Sequence, residues 1–88
     1  MEILKSASAG TLESSDAYVE ISPADSLKLE VESVVKAQFG EEIERAALDV
    51  LKECGIDRAS VRVVDRGALE CVIRARVETA AMRAKEAK

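Results

Sequence analysis

The sequence predicts a small α+β domain: an antiparallel sheet of about four strands in two hairpins, with one main amphipathic helix across one face. Three observations carry this reading. Apolar and polar residues alternate at four places, one stretch has strong helical spacing, and 88 residues leave room for a single domain. Leu, Ile, Val and Phe supply about a quarter of the chain, enough for a modest aliphatic core.

The elements follow in order. Residues 1–16 are read as a flexible arm, because Lys5 to Asp16 are small or polar around the single large apolar Leu12 and keep no period. Residues 17–78 are read as the folded domain. Its first hairpin pairs Ala17, Val19 and Ile21 with Leu27, Leu29 and Val31, across turn chemistry at Pro23-Ala24-Asp25-Ser26. Ile43, Ala46, Ala47, Val50, Leu51 and Cys54 then fall at i, i+3, i+4, i+7, i+8 and i+11, which predicts a helix over 41–54. Glu41 and Glu42 suit its first turn, and Gly55 suits its end. The second hairpin pairs Val61 and Val63 with Leu69, Cys71, Ile73, Ala75 and Val77, across Asp65-Arg66-Gly67. Residues 79–88 are good helix formers and are read as a helical or frayed tail.

Composition narrows the function. Histidine is absent, which removes the usual general base and the commonest metal ligand, and a free-standing enzyme ranks last. No catalytic residue and no metal ligand is assigned. The two cysteines cannot close a zinc site by themselves, and core packing is preferred over a disulfide or redox role for both. The net charge of −4 and pI near 4.9 argue against nucleic acid. No run is apolar enough to span a membrane and no secretory h-region opens the chain, so a cytoplasmic protein is expected. Residues 1–57 are net acidic and 58–88 net basic. Arg62, Arg66, Arg74, Arg76 and Arg83 collect in the last third, and the alternation places Arg74 and Arg76 together on the outer face of the sheet.

Two serines stand in patterns suited to a covalent cofactor. Asp25-Ser26-Leu27 matches the three-residue signature at which four-helix carriers receive phosphopantetheine, but this requires 27–39 to be helical, against the alternation there. The other pattern is Gly10-Thr11-Leu12-Glu13-Ser14-Ser15-Asp16. A serine that bears a covalent group has to remain accessible, and this polar segment suits that need. On the residues alone Ser14 and Ser15 are equivalent. Glu13 and Asp16 are read as recognition or solubility residues, since a mobile segment offers no burial to tune them.

All seven positions 10–16 match the attachment signature of the acyl carrier (gamma) subunits of citrate lyases, and the chain resembles that family. The likeness continues through 34–40 and 67–77, in the same order and with similar gaps. The resemblance implies that Ser14 carries phosphoribosyl dephospho-coenzyme A through a phosphodiester. It also implies a non-catalytic carrier of acetyl and citryl thioesters while citrate is cleaved to acetate and oxaloacetate. The implied partners are the alpha and beta subunits and the transferase that attaches the group. The alternatives are a phosphopantetheine carrier modified at Ser26, a malonate decarboxylase-type carrier and an unmodified interaction module.

Overall fold

The computed structural model describes residues 3–34 and 36–85. The order of elements is β1 (Ala7–Gly10), β2 (Ala17–Ser22), β3 (Leu27–Ser33), α1 (Lys36–Glu53), β4 (Ala59–Asp65) and α2 (Glu70–Lys85). The α+β class stands, as a four-stranded mixed sheet with two helices. Its strands lie in the order β1-β2-β4-β3. β1 and β4 run antiparallel to β2, while β3 and β4 are parallel.

Alternation correctly marks β2, β3 and the middle of β4. Ala17, Val19, Ile21, Val31, Val61 and Val63 are buried on one face, as the period of two requires. The pairing differs from the expected first hairpin. β4 lies between β2 and β3, and α1 makes the connection that two parallel neighbours need.

Helix α1 begins five residues ahead of the expected start. Glu41 and Glu42 therefore stand in its second turn, and its first turn holds no acidic residue. Ile43, Ala46, Ala47, Val50 and Leu51 form the buried stripe as expected, with Cys54 half-buried against it. At its end the Ile56 amide donates to Leu51 O (2.9 Å) and the Gly55 amide to Lys52 O (3.0 Å). With Gly55 at φ 73° this is a Schellman cap, and buried Leu51 and Ile56 sit at the two positions it brings together.

Two segments depart from expectation. Residues 69–77, read as a strand, belong to α2 apart from Leu69. Leu69, Cys71, Ile73, Ala75 and Val77 do alternate, but Ile73, Val77, Ala80, Ala81 and Ala84 also follow a helical repeat, and this second set is buried. Cys71 is consequently exposed on the helix instead of facing inward, and both cysteines are free. The tail reading holds for 79–85 as part of the same helix, while 86–88 lie outside the described residues. The second departure is β1. Ala7-Ser8-Ala9-Gly10, within the segment read as an arm, is an edge strand paired with β2 from Ala7↔Ile21 to Gly10↔Tyr18. Residues 1–2 of that segment lie outside the described residues.

Both helices cover the same face of the sheet. Arg62 lies on the other, open face, bridging Glu20 (3.3 Å) and Glu32 (2.7 Å) on the flanking strands.

Candidate functional site

Residues 11–16 close the β1–β2 hairpin, so the candidate attachment segment is a short loop held at both ends. Its entry needs Gly10. That residue has φ 92°, and a Cβ placed there would collide with the carbonyl oxygen of Ala17. Within the loop the Asp16 amide donates to Glu13 O (3.2 Å), closing a four-residue turn with Ser14 and Ser15 at its centre. The Glu13 amide donates to Thr11 Oγ1 (3.2 Å).

Asp16 organises the exit. Arg76 on α2 donates through Nε to Oδ1 (3.0 Å) and through the terminal Nη2 to Oδ2 (3.1 Å), a two-pronged contact. Thr11 Oγ1 also donates to Oδ2 (2.6 Å), and the Ala17 amide to Oδ1 (2.7 Å). These donors, led by Arg76, hold the Asp16 carboxyl well below the usual carboxylate range. Asp16 is thus a structural residue, not the recognition or solubility group expected of it. Glu13 remains exposed.

The loop is also tied to the β4–α2 turn. The Ser15 amide donates to Arg66 O (2.8 Å) and the Arg66 amide to Asp16 O (2.9 Å). One residue back, Asp65 is buried. It accepts from the Ala68 amide (2.8 Å) and from Ser33 Oγ (2.7 Å), which fixes that turn against the end of β3.

The backbones of two serines that are equivalent in the sequence differ here, while neither hydroxyl takes part in the hydrogen bonds that order the loop. Both are exposed. Ser15 has φ 68°, unusual for a side-chain-bearing residue, and its amide is committed to Arg66. Ser14 precedes this anchor at the outer part of the turn, and none of the hydrogen bonds that order the loop uses its hydroxyl. A primary alcohol so presented suits attachment of a large group, because modification breaks no internal contact.

Ser26 fits the other carrier pattern poorly. It precedes β3, its carbonyl accepts from the Ala59 amide (3.2 Å), and a strand follows where a recognition helix would be needed. The expected basic surface is also dispersed. Arg74 faces Asp49 (3.7 Å) and Glu53 (3.6 Å) on α1, whereas Arg76, two positions along the helix, turns to Asp16. Arg83 donates to the Ser8 carbonyl (2.8 Å). The Arg76–Asp16 contact had no sequence signal, since its partners are 60 positions apart.

Among the described residues no group of three or more Cys, Asp or Glu side chains is arranged to hold a metal, and no helix is long and apolar enough to cross a membrane. Burial pushes the Cys54 thiol up, away from the thiolate form that chemistry would need.

Comparison with known proteins gives a consistent set of relatives. The family profile described as malonate decarboxylase delta subunit (MdcD) matches residues 4–84. A citrate lyase acyl carrier protein of Escherichia fergusonii is 58% identical over 98% of this chain and 91% of its own. One from Haemophilus influenzae strain PittEE is 56% identical over 98% and 90%. Citrate lyase acyl carrier protein 2 of Salmonella typhimurium is 52% identical over 98% and 91%. In fold, the chain is similar to part of a Thermus thermophilus protein known from a crystal structure. That likeness has a TM-score of 0.57 at 12% identity, covering 93% of this chain and 16% of the other.

Proposed function

The chain belongs to the citrate lyase acyl carrier protein family, as a carrier subunit that is not itself catalytic, and from that premise we propose that Ser14 is its point of covalent loading. The observation that carries the proposal is the loop. The seven-residue motif holds Ser14 and Ser15 at an exposed turn, with both hydroxyls outside the hydrogen bonds that hold the turn in shape, and Ser14 is preferred because the backbone of Ser15 is the one anchored to Arg66.

The group proposed for Ser14 is phosphoribosyl dephospho-coenzyme A, linked by a phosphodiester. An exposed primary alcohol fits that linkage, and the side chains around it leave its oxygen accessible. When bound, the group supplies a thiol at the end of a long arm, on which acyl groups pass between active sites. The rest is the work of this chain. Gly10, Thr11, Asp16 and Arg76 hold the loop rigidly on the sheet, and the Ser15–Arg66 contact fixes its orientation. A rigid base with a free hydroxyl presents the modification site in one geometry to every partner. Tethering then makes each encounter intramolecular and raises the local concentration of the carried group. Neither Cys54 nor Cys71 is required, since the reactive sulfur belongs to the cofactor. The proposed partners are the alpha and beta subunits of citrate lyase and the transferase that loads Ser14, acting together in the cytoplasm.

The description of the matching family profile gives a second reading, a carrier for malonate decarboxylation. The relatives at 52–58% identity favour citrate lyase. Intact and peptide mass spectrometry of protein made together with the transferase tests the site. Wild type and the Ser15→Ala and Ser26→Ala variants should gain the adduct, and Ser14→Ala should gain none. An adduct on Ser15 or Ser26 overturns the assignment. Turnover of malonate, and not citrate, by complexes rebuilt around the loaded chain would select the second reading.

A further inference from the structure

The end of the molecule that carries Ser14 also brings large apolar side chains to the surface. Leu12 in the loop is 55% exposed, Val34 beyond β3 65%, Phe39 in the first turn of α1 46%, and Leu69 just before α2 72%. The backbone gathers them. The Val34 amide donates to Asp65 O (3.3 Å), Ser15 is tied to the adjacent Arg66, and Leu69 follows three residues on. Phe39 and Leu69 flank a cleft of about 240 Å³, with Ile43 and Ile73 deeper in it and the acidic Glu42 and Glu70 at its edge. Of the exposed large apolar residues, Phe39 and Leu69 line this cleft, while Leu12 and Val34 stand outside it at the same end of the sheet. A cluster of exposed apolar groups beside charged ones is characteristic of a surface that another protein covers.

Resting on the reading of Ser14 as the loading site, we propose that this end is the face on which the carrier seats against its catalytic partner. The partner supplies an apolar side chain for the Phe39–Leu69 cleft, within a basic rim around the mouth of its active site. Turning the surface around Ser14 toward the opening of an active site shortens the distance that a group fixed to Ser14 has to span. The apolar cleft then gives affinity. Glu42, with Glu13 in the loop and Glu70, which stays 69% exposed while also reaching Arg74 (4.0 Å), gives complementarity to a basic rim and speeds the encounter.

The test uses the full chain, loaded and unloaded, titrated calorimetrically into purified citrate lyase catalytic subunits, with association rates measured from 50 to about 300 mM salt. Phe39→Ser and Leu69→Ser should each raise Kd at least tenfold, while Met82→Ser leaves it unchanged. Glu42→Lys with Glu70→Lys should slow association severalfold and flatten its salt dependence. Unloaded chain should bind with similar affinity, because the protein surface makes the contact. Thermal melts confirm folding, and Leu69→Gln replaces any variant that does not fold. Unchanged Kd in Phe39→Ser and Leu69→Ser overturns the docking face. Binding that only the loaded chain shows overturns it in favour of the carrier's own arm. A self-association of the chain that Leu69→Ser abolishes overturns it in favour of a second copy. Loading mass identifies the other failure separately: a chain modified away from Ser14 defeats the site assignment, whatever the Kd values are.

Discussion

Asp16 is the residue on which the order of the carrier loop converges. Its carboxylate accepts from Thr11, Ala17 and twice from Arg76, so both oxygens are fully used. A carboxylate held below its ordinary value stabilises the fold at every pH above its unfolded pKa near 4. That contribution is lost as the pH falls from there through the lowered folded value. Wild-type Tm should therefore decline below about pH 4 more steeply than that of Asp16→Asn, and the variant should already melt lower at pH 7. Thermal melts across pH 2 to 7 check this. Parallel curves for the two proteins would mean that the Arg76 contact is not formed in solution. Loading of Ser14 in Asp16→Asn should slow without stopping, since the hydroxyl remains while its presentation loosens.

At the scale of elements, α2 decides the architecture. Its buried face is mostly small: Ala80, Ala81 and Ala84 join Ile73 and Val77, and this lets the helix backbone approach β1 and β2 closely. Close approach tolerates little added volume. Ala81→Leu should cost about 1–3 kcal/mol through overpacking, with Tm falling by roughly 4–8 °C per kcal/mol in a domain of this size. Exposed Met82→Leu, the next residue, should change stability by less than about 0.5 kcal/mol. Urea melts of both variants measure the difference. Equal stabilities would contradict the packing of α2 on the sheet, because a strand at 69–77 would leave Ala81 in an exposed tail.

The whole molecule is a sheet whose two middle strands are paired on both sides, with β1 and β3 at its edges. Opening should begin at the edges and reach β2 and β4 last. Hydrogen exchange followed by NMR should find the amides of Val19, Ile21, Val61 and Val63 among the slowest, with β1 faster. The Ser15 amide, bonded to Arg66, should be slower than that of Ser14. Exchange of β1 as slow as that of β2 would refute this ordering. The pattern bears on how the carrier works. With its loop tied to β4 and α2, the protein would serve the proposed loading of Ser14 as a firm anchor, leaving the reach between active sites to the group attached there.

The sequence by itself determined the α+β class, the inward faces of β2 and β3, the buried stripe and glycine stop of α1, and the seven-residue motif that contains Ser14 and Ser15. Each of these is written in neighbouring residues, as a period of two, a period of 3.6 or a contiguous string. Only the tertiary structure decided the rest. Ala7-Ser8-Ala9-Gly10 has weak strand character, and becomes a strand because β2 offers it a partner. Residues 69–77 satisfy a strand and a helix period together, and packing against β1, β2 and α1 selects the helix. The parallel pairing of β3 with β4 replaces two hairpins because α1 carries the chain between them. The loop's latch joins positions 16 and 76, and its anchor joins 15 and 66. No local pattern encodes contacts between residues so far apart, since their energy is realised only when the chain has already brought them together.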